Sequence, residues 1–513
     1  MRWRFRHQPS GQTLGGNVHL VDIGSRTMQG SITTVASQML RLGLQLLGSM
    51  VLARLLAPED FGLVAMAAVV VGFASVLAEA GLASATVQSK ELNHNTVNAL
   101  FYIQVGVSLG LMALIMSAAP LIAMGFNDTR VSLLVVALAP TLPILAASSQ
   151  HLALLQRDMR WLKMQGVGVL AQAVGTAIAI LVSFTTDIGY WALVIQAWSV
   201  AICTCLLAWL WSPWTPGRVS NWSQAMPAVK FGFGLTCYNL LNGWHRQFDN
   251  VVIGAVVGPE QLGYYARAYG LLMIPLNAVI RPFTTAVYPA MSRLQSDPPR
   301  WRRMFLSSVA TSTCLTALIA GLLVLSAEWL VPLLFGDQWH ASVPIFRILA
   351  ISMLIQPVYN AAGIIPFSLG DSHRMLRASY VTTAIYTAAF VIGVFMGGAI
   401  GVAVGYTIAV YLITPFWLWW AARGTSLSVL RICGAVAPPI LAGFTAFAAA
   451  AGLPVLHEGL IWQAVQGGVF CTLYIGLLYL FWLIFEDWRK DVQPVVDRTI
   501  LFAAGLRMRP AVE

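Results

Sequence analysis

Residues 62–84 read GLVAMAAVVVGFASVLAEAGLAS, an apolar run whose one charge is Glu79. A helix that crosses a bilayer needs about 20 mostly apolar residues, and this stretch meets that length. The whole chain has the same character. Of its 513 residues 58% are hydrophobic and 10% charged, and the mean hydropathy is +0.74. A soluble protein carries roughly 25% charged residues, and a soluble chain of this length would form about three domains, each with a charged skin. The composition therefore describes a polytopic integral membrane protein and excludes soluble enzymes and nucleic-acid binders. The net charge of +10 is accounted for by basic residues gathered in cytoplasmic loops, which set membrane orientation.

Working outward from 62–84, breaks at charged or Pro/Gly/Asn-rich stretches give fourteen candidate spans. They cover roughly 31–56, 62–84, 97–119, 130–152, 166–185, 188–211, 230–257, 262–286, 304–327, 341–366, 376–397, 400–422, 429–451 and 461–485. The segments are continuously apolar rather than alternating, so a β-barrel is excluded and the fold is all-α. With the N-terminus inside, the cytoplasmic loops hold fourteen basic residues, among them Lys90, Arg157, Arg160, Lys163, Arg218 and Arg300, whereas the opposite loops hold Arg54 and Arg130. Both termini are expected in the cytoplasm. Residues 7–30 are polar and Gly-rich, so Arg2, Arg4 and Arg6 head no secretory signal. Cys203, Cys205, Cys237, Cys314, Cys433 and Cys471 all fall in apolar stretches. They read as small buried hydrophobes, with no disulfide framework and no metal site.

An internal repeat follows. At an offset of 201, Ala57-Pro58-Glu59-Asp60-Phe61-Gly62 lies over Gly258-Pro259-Glu260-Gln261-Leu262-Gly263, and further on the offset drifts to about 212, setting Gly189 on Gly401. Spans 1–6 read as duplicated in spans 7–12, with 13 and 14 added. Two halves of the same topology facing a central cavity make a common transporter plan. The expected segments are a tail 1–30, an N-lobe 31–211, a cytoplasmic linker 212–229, a C-lobe 230–422, two helices within 429–485 and a cytoplasmic tail 486–513.

The stretch from Leu52 to Ala67, LARLLAPEDFGLVAMA, resembles the first-hairpin signature of bacterial polysaccharide flippases of the MOP superfamily, the Wzx-type, colanic-acid-exporter-like branch. Ala80–Gln88 continues the match. In the second half it is carried by Asp249–Gly254, Leu262–Tyr269, Tyr288–Gln295 and Leu334–Trp339. The resemblance covers roughly residues 31–425. It implies a fourteen-helix, two-lobe transporter working by alternating access, both lobes of six helices and pseudo-symmetric, with two extra C-terminal helices. The implied cargo is an undecaprenyl-pyrophosphate-linked oligosaccharide, carried from the cytoplasmic to the periplasmic leaflet for exopolysaccharide or O-antigen synthesis. The pathway's polysaccharide polymerase and glycosyltransferases are the implied partners.

Ionisable residues within spans are costly and are candidates for function. Arg41, Arg246 and Asp249 fall near the expected midplane, Glu79 and Arg281 toward the cytoplasmic ends, and Arg267, Glu328 and Arg347 near the outer ends. Arg41 and Arg246 lie on the first helix of each half, where guanidinium suits a pyrophosphate through paired donors. Gln45 and Asn242 add polar groups to the same two helices, as do Gln38, Asn239 and His245. The alternative for Arg246 is an ion pair with Asp249 on the same helix face. Tyr238, Trp244, Tyr264, Tyr265 and Tyr269 could stack on sugars or simply pack. Glu79 and Arg281 align across the repeat and are candidates for a cytoplasmic gate, the alternative being that Glu79 pairs within its own lobe and Arg281 reaches the inner phospholipid headgroups. The chain has no phosphate loop, no metal-binding helix pair and no nucleophile elbow, so no enzyme activity, cofactor or metal is expected. Direction would come from H+ or Na+ coupling, with Asp249 and Glu79 the carboxylates placed for it, or from removal of product. The competing readings are a drug/cation antiporter or a lipid II flippase of the same superfamily, a membrane polysaccharide polymerase or ligase, and a membrane scaffold.

Overall fold

The structure, a computed structural model, describes residues 20–79, 81–88, 93–282, 287–368, 372–423, 425, 427–453 and 460–493. Among these residues all regular structure is helical. That follows from the solvent, because lipid offers no hydrogen bonds and a spanning segment must satisfy its own backbone. In chain order the helices are α1 (Leu20–Leu55), α2 (Pro58–Glu79), α3 (Leu82–Gln88), α4 (His94–Phe126), α5 (Arg130–Leu138), α6 (Thr141–Arg157), α7 (Trp161–Thr185), α8 (Trp191–Trp211), α9 (Met226–Val256), α10 (Pro259–Pro282), α11 (Tyr288–Arg293), α12 (Pro298–Phe335), α13 (Ser342–Ser352), α14 (Gln356–Ser368), α15 (Ser372–Ala422), α16 (Val429–Ala451) and α17 (Leu460–Ile484).

Nine helices of the described residues are long and apolar enough to cross a membrane, and ten if α13 and α14, bent by 46°, make one span. Three further helices, α1, α9 and α10, have spanning length and carry the charges noted above. The helix α15 is two arms. Gly397 and Gly398 leave helical geometry, Gly398 at φ +58°, and a Cβ on Gly393 would fall 2.4 Å from the Gly401 carbonyl oxygen. Residues eight apart on a straight helix are about 12 Å apart, so the chain reverses there. The arrangement is consistent with fourteen crossings.

Several sequence expectations shift. Helix α1 begins at Leu20, well inside the tail expected to end at residue 30. The stretch 212–229, the expected linker, is held against α4. Asn98 Oδ1 accepts from the Gly217 amide at 3.1 Å, and Asn95 Oδ1 accepts from the Ser220 amide at 2.7 Å, so two polar side chains on the first turns of α4 hold it. Cys433 is exposed and the four other described cysteines are half-buried, all free; a membrane helix turns small apolar residues to lipid as readily as to a core.

The chain forms two compact units, Met1–Gln247 with Gly258–Glu260, and Phe248–Val257 with Gln261–Glu513. In the first, α7 packs between α1 and α8, with Gly48 against Thr176 and Gly175 against Val200. In the second, α12, α16 and α17 share a core of Ala317, Ala442, Ala446, Ala450, Phe470 and Tyr474. Small residues let membrane helices approach closely; a Cβ on Gly321 would lie 2.1 Å from the Phe470 ring. Many large apolar side chains face outward, Met396 82% and Leu210 76% exposed among them, as a lipid-facing surface requires.

Candidate functional site

The start of α2 is tied to neighbouring chain in the first unit. Asp60 Oδ2 accepts from the Ala57 amide at 3.0 Å, and its Oδ1 accepts from the Tyr190 amide at 3.1 Å. The first bond is one half of a capping box; the second ties α2 to the loop before α8, where Gly189 sits at φ +55°. In the second unit Gln261 Oε1 accepts from the Ala399 amide at 3.4 Å, beside Gly398. The two bonds are repeat-equivalent: 261 − 60 gives an offset of 201, and 399 − 190 gives 209. Gly189 thus corresponds to Gly398, not to Gly401 as the sequence alignment had it, because the left-handed turn is the feature repeated. Beside Asp60, Arg130 Nη2 reaches Glu59 Oε1 at 2.6 Å and Asp128 Oδ2 at 2.7 Å, and the Arg130 guanidinium holds the Asp128 carboxyl below its ordinary range.

Within this frame Arg41 lies on α1, roughly 21 Å below Leu55 at 1.5 Å per residue. Its side chain is exposed, and its guanidinium rests on α7: a Cβ on Gly168 would stand 2.8 Å from Arg41 Nη1. Among the described residues it has no ion-pair or hydrogen-bond partner. Gln45, one turn on, is exposed, and Gln38 is half-buried. Glu79 is exposed at the end of α2. The side chains of Arg246, Asn242 and Arg281 lie outside the described residues, as do those of Asn239, His245 and Tyr238.

Asp249 is buried, 2% exposed, and lies about 10 Å from the C-terminal end of α9 at 1.5 Å per residue. Its Oδ2 accepts from the Tyr265 hydroxyl at 2.8 Å, and its Oδ1 from the Asn250 amide at 2.8 Å. Among the described residues it has no cationic partner. Tyr265 stacks on Tyr269, whose ring meets Tyr406 edge-on. The Tyr406 hydroxyl accepts from Gln356 Nε2 at 2.6 Å, and Tyr386 and Phe390 stack on Tyr406. Tyr265 is fully buried, so its ring is not offered to a sugar. Of the outer-end charges, Glu328 pairs with Arg347 at 2.8 Å and with His340 at 3.2 Å.

Sequence reading did not mark the buried polar strand of the first unit. The Thr86 hydroxyl donates to Gln150 Oε1 at 2.7 Å, Gln150 Nε2 to Gln104 Oε1 at 3.2 Å, and Arg157 Nη1 to the Thr86 carbonyl at 2.9 Å. Beside it His151 is fully buried among Phe101, Trp209 and Trp214. Uncharged polar residues barely dent hydropathy; the spacing of Gln104, Gln150 and Thr86 on three helices was the only available signal. Among the described residues no cluster of His, Cys, Asp and Glu could hold a metal.

The chain is similar to known proteins in sequence and in fold. The Escherichia coli (strain K12) lipopolysaccharide biosynthesis protein WzxC is 25% identical over 394 residues, covering 76% of this chain and 79% of WzxC. The Rhizobium meliloti (strain 1021) succinoglycan biosynthesis transport protein ExoT is 26% identical over 399 residues, 76% of this chain and 80% of ExoT. Among solved structures, the lipid II flippase MurJ in an inward closed conformation superposes with a TM-score of 0.70 at 13% identity, over 89% of this chain and 99% of MurJ. An inward-facing multidrug resistance MATE transporter of the MOP superfamily gives 0.62 at 14% identity, over 79% of this chain and 98% of that one. The fold is therefore that of the MOP transporters. Residues 51–344 match the family described as polysaccharide biosynthesis protein, and the chain belongs to that family.

Proposed function

We propose that this protein is a flippase that moves a lipid-linked oligosaccharide, an undecaprenyl-pyrophosphate-linked repeat unit, from the cytoplasmic to the periplasmic leaflet of the bacterial inner membrane by alternating access. The observation that carries the reading is Arg41: a guanidinium deep in a spanning helix, exposed, and unpaired among the described residues. A charge at that depth is retained for a use, and its planar fork fits the oxygens of a pyrophosphate. Family membership and the kinship to WzxC and ExoT, both named for polysaccharide biosynthesis, support the cargo class. Arg246, Gln45 and Asn242 complete the proposed cargo contacts. Asp249, a carboxylate buried without a cation among the described residues, is the proposed coupling group for H+ or Na+. Polymerase and glycosyltransferases of the pathway would consume and supply the cargo. A drug/cation antiporter would instead gather carboxylates where Arg41 stands.

The test is export of the surface polymer at matched membrane levels. Arg41→Ala should reduce it about 10- to 100-fold, the worth of a charged hydrogen-bonded contact of about 1.5–3 kcal/mol. Arg41→Lys should keep part of it, since the charge remains and the fork is lost. Unchanged export by Arg41→Ala would remove the cargo assignment.

A further inference from the structure

The second unit holds a cavity of about 560 Å3 at the helix ends where α12 and α16 begin and α17 has ended, lined by Pro299, Arg302, Arg303, Leu306, Arg431, Lys490, Asp491 and Gln493. Four of its eight lining residues are basic and one is acidic. Residues 486–493 form its third wall as a short helix, fixed in place by Trp488, which is buried and donates its Nε1–H to the Ala435 carbonyl at 3.0 Å.

The charge there has the wrong sign for the helices that carry it. Arg302 and Arg303 stand in the first two turns of α12, and Arg431 in the first turn of α16. Helix N-termini carry partial positive charge and favour anions, so arginines at these positions oppose the dipoles. On α12 the conflict is answered once: Asp297 caps the helix, accepting from the Arg300 amide at 3.1 Å, and pairs with Arg300 at 3.3 Å. At the start of α16 Ser428 makes no side-chain cap. Arg431 pairs with Asp487, and Lys490 with Glu486 at 2.7 Å. Arg302 and Arg303 are left without an ion pair among the described residues. Asp491 is the cavity's own buried acid: burial pushes its carboxyl up, and Arg431, Arg302 and Arg303 act on it in the opposite direction. Three arginines from two helices therefore line one cavity and act on one buried carboxyl.

We infer that this cavity binds the phosphate of a lipid headgroup, with Arg302, Arg303 and Arg431 as donors and the N-termini of α12 and α16 behind them. Helix N-termini favour anions, the first turns of both helices line this cavity, and a basic pocket between transmembrane helices suits an anionic lipid head. The lipid source is favoured over a soluble anion by the surroundings. Leu430, directly before Arg431, is 81% exposed, and Phe485, directly before the short helix, is 48% exposed. A chain bonded to the phosphate would lie along that apolar flank. Binding here is independent of the transport reading, because its readout requires no export.

The experiment is native mass spectrometry of the full-length protein in detergent, titrated with dioleoyl phosphatidylglycerol, farnesyl diphosphate, dioleoyl phosphatidylcholine or inorganic pyrophosphate. The expected result is binding of phosphatidylglycerol or farnesyl diphosphate at least ten-fold tighter than phosphatidylcholine, and the tighter of the two identifies the kind of lipid phosphate held. Arg302→Gln with Arg303→Gln should weaken it about ten-fold or more. Gln493→Glu adds a carboxylate to the lining, leaves every basic group in place and should also weaken it. Binding that ignores both variants, or no preference over phosphatidylcholine, overturns the site. Pyrophosphate competing as well as the lipids overturns the assignment to a lipid.

Discussion

At the level of single residues, the second unit buries a carboxylate that accepts from a tyrosine hydroxyl and, among the described residues, meets no cation. Asp249 and Tyr265 are both buried, and their 2.8 Å bond is flanked by the stacked ring of Tyr269. Removing the hydroxyl with Tyr265→Phe leaves a buried acceptor short of its donor, which costs about 1–3 kcal/mol and should lower the melting temperature in detergent. Asp249→Asn keeps an acceptor oxygen for Tyr265 and removes the titratable group. It should therefore fold near normally yet lose the dependence of transport on the ion gradient. Retention of that dependence would make Asp249 a purely structural residue. Asp249 stood out in the sequence because a charge in an apolar run is conspicuous. Tyr265 did not stand out as its partner, since it lies on the next helix and tyrosines are common in membrane proteins. Gln104, Gln150 and His151 were less legible still, being uncharged and scattered over two helices.

Among the elements, the turn that the sequence placed least well is the one whose geometry the two halves share. The hairpin tips 57–62 and 258–263 were readable as repeats because Pro, Glu and Gly recur at fixed spacing. Their hydrogen-bond partners, the amides of Tyr190 and Ala399, were not, because a backbone donor has no letter in the sequence. The register is marked by those bonds and by the positive φ of Gly189 and Gly398, and glycines are abundant enough here, 43 in all, that Gly401 competed for the alignment. Gly401 has a different task. A Cβ at this position would come 2.0 Å from the Gly393 carbonyl oxygen, and one on Gly405 2.5 Å from the Ala389 carbonyl oxygen. Backbone stands at each contact, so no side chain can yield. Gly401→Val should force the arms of α15 apart and lower stability by about 1–3 kcal/mol, the usual range for overpacking. Gly397→Ala, with nothing within 4 Å of a built Cβ, should cost less. Equal melting temperatures for the two variants would show that the arms do not meet through Gly401.

For the whole molecule the decisive quantity is parity, the number of crossings between any two loops. From the basic residues, the loops near 91, 160, 297 and 374 are expected on one side and those near 128, 258 and 337 on the other. Two elements decide whether the helices agree. Between 128 and 160 the chain runs through α5 and α6, broken at Pro140. Between 337 and 374 it runs through α13 and α14, bent by 46°. The first pair makes one apolar stretch, Arg130–Arg157, of spanning length; the second is either one broken span, which changes sides, or a re-entrant loop, which does not. Together α5 and α6 cover Arg130–Arg157, 28 residues, roughly 42 Å at 1.5 Å per residue, enough to cross a hydrocarbon core of about 30 Å even when bent. The pair α13 and α14 runs from Ser342 to Ser368, a similar length. Each pair also joins a loop of one charge character to a loop of the other, from Asp128 and Asp337 to Arg160 and Arg374, which a re-entrant loop would put on one face against the distribution of positive charge. Reporter fusions should therefore read cytoplasm after 91, 160, 297 and 374, and periplasm after 128, 258 and 337. If 128 and 160 report the same side, α5–α6 is re-entrant and every downstream assignment inverts. If only 337 and 374 agree, the second half alone departs, and the two halves cannot share one topology.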